Sequence, residues 1–165
     1  MTATPVLRPT ARILLADPED RVLLFSASDA GRGRWWFTPG GGLQRGETIA
    51  AGAVRELFEE TGFSFSETDL GPVVATSVSR WVSAESGKTY LGAHSYFFLR
   101  VSHTRLDDAH QEEYERTFIT GHRWWTVAEL DAATELIWPP GLAGLLGRLL
   151  RGDIPSPPAR LPRHG

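Results

Sequence analysis

Cysteine is absent from the 165 residues, methionine occurs once, and Lys88 is the single lysine among seventeen basic side chains. Without cysteine there are no disulfides, no thiolate metal ligands and no thiol nucleophile, and a reducing compartment suits the chain. We therefore expect a cytoplasmic protein. No serine stands in a Gly-x-Ser-x-Gly elbow, so a covalent intermediate has no candidate nucleophile there. No apolar run approaches the ~20 residues that span a bilayer, so no membrane partner is expected. The N-terminal MTATPVLRPTAR also lacks the hydrophobic region of a signal peptide. A basic surplus is missing as well. The net charge of −3 and a pI near 5.9 argue against a nucleic-acid polymer as partner. The length supports one core and one domain, which we assign to residues 1–151. The Pro/Arg-rich tail, 152–165, is expected to pack poorly or along the surface.

What the chain does have is concentrated between Gly41 and Phe63, GGLQRGETIAAGAVRELFEETGF. From Thr48 to Thr61 the apolar positions Ala50, Ala53, Val54, Leu57 and Phe58 follow the spacing of one buried helical stripe. Glu56, Glu59 and Glu60 fall on the opposite side at i, i+3, i+4, which gathers three carboxylates into one patch. Arg55, four residues before Glu59, can pair with it and orient it. Gly62 ends the helix by accepting a left-handed conformation, and Pro39-Gly40-Gly41-Gly42 ahead of it implies a tight backbone loop. Three glutamates on a helix are by themselves an ordinary solvated face. The glycine run, Glu47, Arg55 and Gly62 at fixed offsets favour a metal site instead. Oxygen-only ligands suit a hard cation, Mg²⁺ or Mn²⁺.

Glycine, five residues, Glu47, seven residues, then Arg55-Glu56-Leu57-Phe58-Glu59-Glu60-Thr61-Gly62-Phe63 resembles the complete box of the Nudix hydrolases. At average residue frequencies its nine fixed positions would coincide in roughly one chain of this length in ten million. The resemblance implies an α/β/α sandwich around a mixed β-sheet. It also implies metal-dependent hydrolysis of a diphosphate linkage in a nucleoside diphosphate-linked compound, by attack of a metal-activated water on phosphorus. By the same resemblance, Glu56, Glu59 and Glu60 hold metal, with the Gly40 carbonyl as a further ligand. Arg55 orients the carboxylates, and Glu47 supports the site near the helix start. The base is Glu56, or an acid from a later loop, for which Glu115 and then Glu113 are the candidates.

The substrate is less defined. Arg32 and Arg34, in the loop before the box, are candidate phosphate contacts, and Trp36 and Trp81 are candidate stacking residues. In each Trp-Trp pair strand alternation sends the two rings to opposite faces. ADP-ribose hydrolases of the family tend to carry a proline downstream of the box, and dinucleoside polyphosphate hydrolases a tyrosine. At Ser77-Val78-Ser79-Arg80-Trp81 this chain has neither. The alternative is a non-catalytic nucleotide-sensing module, in which box glutamates are usually eroded. A prenyl diphosphate isomerase of the same fold would need the missing cysteine. A homodimer is a further expectation, and the Leu142–Leu150 helix and Trp138 either form its surface or cap the core.

Elsewhere the patterns predict strands at 12–16 and 21–26 joined by Asp17-Pro18-Glu19-Asp20, a short strand at 35–38, and a hairpin of 72–82 with 89–101. The polar stretch 102–120 is read as loop. A strand at 122–126 follows, then helices at 127–133 and 141–150.

Overall fold

The run Ile13-Leu14-Leu15-Ala16 is apolar at every position because its strand is covered on both faces. In the computed structural model, which describes residues 3–165, strand β1 (Val6–Ala16) turns Ala11, Ile13 and Leu15 to one face of a mixed sheet and Leu14 to the other. Strand β2 (Val22–Asp29) repeats the division, with Leu23 and Phe25 on the first face and Val22 and Leu24 on the second. The sheet runs in the order β8 (Leu136–Trp138), β3 (Gly33–Phe37), β2, β1, β6 (Thr89–Arg100), β5 (Ala75–Val82), β9 (Ala159–Arg160). Two short strands lie off that path: β4 (Gly40–Gly42) pairs with β1, and β7 (Gly121–Trp125) with β2.

Helix α1 (Ile49–Thr61) covers the first face through Ala53 and Leu57. Helices α3 (Val127–Ala132) and α4 (Leu142–Leu150) cover the second through Leu130, Leu142, Leu145, Leu146 and Leu149. The result is an α/β/α sandwich. The predicted hairpin is present, antiparallel from Ala75↔Tyr96 to Val82↔Thr89. No helix among the described residues is long and apolar enough to cross a membrane.

The fold departs from the sequence reading in four places. Strand β1 begins at Val6, before the predicted Arg12, because its whole length pairs in parallel with β6, from Val6↔Tyr90 to Ala16↔Arg100. Strands β1 and β2 meet only at Ala16↔Val22; further from the turn β1 gives its edge to β4, at Thr10–Arg12. Within the stretch read as loop, Glu113–Phe118 forms a short helix, α2. Its capping box is reciprocal: the Glu112 N–H donates to Glu115 Oε2 at 3.1 Å, and Glu112 caps the first turn. The tail runs along the surface with regular pairing, Ala75↔Ala159 and Thr76↔Arg160.

Candidate active site

Helix α1 is set by its two ends. Thr48 Oγ1 accepts the Ala51 N–H at 3.1 Å at the start, and Gly62, at φ +79°, donates its N–H to the Phe58 carbonyl at the end. The apolar stripe is narrower than expected: Phe58 is 40% exposed and stacks on His110 at 4.6 Å. The acidic patch is not a solvated face either. Glu56 and Glu60 are buried, at 6% and 2% exposure, because β4 lies across that side of the helix.

Glycine is required at this crossing for two separate reasons. A Cβ on Gly40, at φ +130°, would sit 2.1 Å from the Ala11 carbonyl oxygen. A Cβ on Gly41 would sit 2.6 Å from Glu56 Oε1. The bare backbone lets the Gly40 N–H donate to Glu60 Oε1 at 3.0 Å. The Gly40 carbonyl accepts from Arg12 Nη1 at 3.0 Å, and so does the Thr38 carbonyl at 3.2 Å.

Arg55 uses all five of its N–H donors. Two go to Glu47 at 2.8 Å each, and one each to Glu56 Oε1 at 3.0 Å, Glu59 Oε2 at 3.2 Å and the Gly42 carbonyl at 3.1 Å. These bonds hold Glu47 down at a pKa of about 2 and raise that of Arg55. The other acids move the opposite way. Burial, then the Glu56 charge, pushes Glu60 well above the ordinary carboxylate range. Burial followed by Glu56 raises Glu59, and burial with the Glu56 and Glu59 charges raises Glu115.

Glu115 reaches this cluster from α2. One carboxylate oxygen from each of Glu56, Glu60 and Glu115 lies within 4.8 Å of the others, and Glu56 Oε2 is buried without a hydrogen-bond partner. An orphaned buried acceptor among crowded carboxylates is costly unless a cation joins them. An all-oxygen set of this kind fits Mg²⁺ or Mn²⁺. The cluster opens into a cleft of about 620 Å³, whose far wall is built from Trp35, Phe37, Phe118 and Trp138. That volume is ordinary for a small-molecule site.

The chain matches the NUDIX domain over residues 6–142. The chain belongs to the Nudix hydrolase family. Solved Nudix structures share its fold. A NUDIX hydrolase from Nitrosomonas europaea is 24% identical, with a TM-score of 0.57 and 92% of each chain covered. The MutT protein of Methanosarcina mazei Go1 is 18% identical, with a TM-score of 0.64, covering 92% of this chain and 99% of that one. The NUDIX domain of Shewanella oneidensis NrtR, solved with ADP ribose, is 17% identical, with a TM-score of 0.61 and 90% of each chain covered. A search of curated proteins returned no match.

Within this Nudix domain the box residues and Glu115 come together, with Gly40 at the rim. Glu59 stands apart from the close trio, its carboxylate turned to Arg55. Glu113 is exposed and does not line the cleft, whereas Glu112 does. Of the substrate candidates, Arg32 lines the cleft, its guanidinium 5.2 Å from the Trp35 ring and 5.4 Å from that of Trp138. Arg34 instead pairs with Glu135 outside the cleft. Trp36 is buried in the core against Trp125 and donates to Glu135 at 3.1 Å. Trp81 lies outside the cleft lining, stacked on Tyr90 at 5.4 Å. Strand alternation separates Trp35 from Trp36 without saying which side faces the cleft; Trp35 does, together with Phe37 two residues on. Arg12, Trp35, Tyr114, Phe118 and Trp138 line the cleft and were not singled out from sequence for it.

Proposed function

We propose that this Nudix protein is a divalent-metal-dependent hydrolase of a diphosphate linkage in a nucleoside diphosphate-linked compound, of nucleotide, nucleotide sugar, ADP-ribose or dinucleotide type. The observation that carries the reading is the orphaned Glu56 Oε2, buried within reach of Glu60 and Glu115 at the end of an open cleft. Glu56, Glu60 and Glu115 would hold Mg²⁺ or Mn²⁺, with the Gly40 carbonyl and Glu59 as adjoining oxygen donors. When bound, the ion supplies charge neutralisation on the phosphates and a more acidic water.

The chain's own residues then have separable tasks. Arg55 fixes Glu56 and Glu59 while Glu47 holds Arg55 in place, which limits reorganisation as charge develops. Glu115 or Glu56 is the acid placed to take the proton of the attacking water. The position of Glu115 in the trio favours it over Glu113. The aromatic wall, with Arg32 above Trp35 and Trp138, is suited to a planar nucleobase and an outer phosphate. The ADP ribose held by the related NrtR domain is a compound of this class. On this reading the partner is a small cytoplasmic diphosphate.

The test is hydrolysis of a panel with Mg²⁺ or Mn²⁺, with and without chelator. The panel holds nucleoside triphosphates, oxidised guanine nucleotides, ADP-ribose, nucleotide sugars and dinucleoside polyphosphates. Chelator-sensitive turnover of one class is expected. Silence throughout, with metal bound and the fold intact, would instead favour a nucleotide-sensing module.

A further inference from the structure

The last residues of the chain approach the cleft from behind. Strand β9 lies along β5 through Ala159 N–H to the Val74 carbonyl (3.0 Å) and Leu161 N–H to the Thr76 carbonyl (2.8 Å). That pairing covers the sheet edge at Ala75 and Thr76, and a single bridge, Ser79↔His164, continues along it. The chain continues to His164, whose N–H donates to the Val78 carbonyl and whose carbonyl accepts from the Arg80 N–H, both at 3.2 Å. The His164 ring is thereby placed between two others, 5.5 Å from that of His94 and 5.4 Å from that of Trp138. Its Nδ1 is buried, so the ring is turned inward from the sheet edge and not out to solvent.

His94 is a fixed floor for this stack. Its two nitrogens are bonded to Thr10 Oγ1 at 2.6 Å and Ser79 Oγ at 2.7 Å. Burial, then the charges of Arg12 and His164, drops its pKa to about 3, so it stays neutral. Trp138, on the other side of His164, is a half-buried ring with one side in the substrate cleft. A small cavity of about 40 Å³ lies behind it, bounded by Arg12, His94, Trp138 and His164. Arg12, Phe37 and Trp138 line both spaces and so stand between that cavity and the cleft.

We propose that His164 is a positioning residue of the cleft: its ring, delivered by the C-terminal strand, props the Trp138 indole in the orientation that receives the planar end of the substrate. Truncating His164 enlarges the cavity and lets the indole fall back, since neighbours close such a space only in part. The carboxylate trio comes from α1 and α2, on elements other than the tail and β8, so binding is expected to suffer rather than chemistry.

The experiment compares wild type, His164→Ala and His164→Phe by thermal melting, by the Trp138 indole N–H resonance, and by KM and kcat. The resonance is assigned with Trp138→Phe, and kinetics use the panel compound that the wild type hydrolyses. The kinetic arm rests on the hydrolase reading; the resonance does not. His164→Ala should shift the Trp138 signal and raise KM about tenfold, less than the roughly 100-fold that an ångström of misplacement can cost. Its kcat should stay within about twofold, since uniform binding alone is lost. His164→Phe, which refills the space, should restore both signal and KM. An unmoved Trp138 signal in folded His164→Ala overturns the proposal, as does an unchanged KM or a failure of phenylalanine to rescue. If the wild type turns over nothing, the hydrolase reading fails and the resonance alone decides the role of His164.

Discussion

Glu60 is bonded by the Gly40 N–H, buried to 2% exposure, and still faces two other carboxylates. Its folded pKa is raised, so in the metal-free protein its charged form opposes folding, and stability falls as pH rises from the unfolded value toward the raised one. Glu60→Gln keeps an acceptor for Gly40 and removes the charge. Metal-free Glu60→Gln should therefore melt above wild type near neutral pH by calorimetry, while turnover drops by about a hundredfold or more. Glu47 has the opposite sign. Held at about 2 by Arg55, it contributes stability that is present above the ordinary glutamate value of 4.5 and lost as pH falls through about 2. Denaturant unfolding of wild type against Glu47→Gln should show a difference at neutral pH that shrinks across that acid window. Loss of this support should weaken metal affinity or activity about 10–100-fold, as calorimetric titration with Mn²⁺ can measure.

At the scale of elements, the crossing of α1 and β4 separates folding from chemistry within two adjacent glycines. Gly40→Ala drives a Cβ into the backbone oxygen of Ala11 at a positive φ, so loss of soluble, folded protein is expected. At Gly41→Ala the nearest atoms to the new Cβ are those of the Glu56 carboxylate, the far end of a side chain that can move. That variant should fold with a near-normal melting temperature and lose most of its activity. Comparing the two by circular dichroism and turnover checks both. The same crossing shows what could be read from sequence. Helix α1 was legible because its caps, its stripe and its glutamate spacing are local. The burial of Glu56 and Glu60 was not, because β4 is three glycines with no pattern of their own. Helix α2 escaped for a similar reason: Glu113–Phe118 has no apolar stripe and is held by a reciprocal cap between Glu112 and Glu115. The early residues of β1, which include Arg8 and Pro9, become a strand only through pairing with β6, far away in sequence.

In the molecule as a whole, α1 and α2 bring carboxylates to one end of the cleft beside β4, and β3 and β8 build the other, with His164 of the tail against Trp138. Trp35 and Trp138 come from strands that pair in parallel, so their meeting at 6.0 Å is a product of topology and not of spacing. Metal affinity should fall as pH drops through the raised pKa values of Glu59, Glu60 and Glu115, because carboxylates must lose their protons to bind. On the proposed reading, this carboxylate cluster makes diphosphate hydrolysis depend on a divalent ion. Its most direct test is turnover of the panel compounds as a function of Mg²⁺ in wild type, Glu56→Gln and Glu60→Gln. The expected result is turnover that chelator abolishes and that both variants lose by about a hundredfold or more at saturating Mg²⁺. Turnover that survives chelator, or variants within about twofold of wild type, would contradict it.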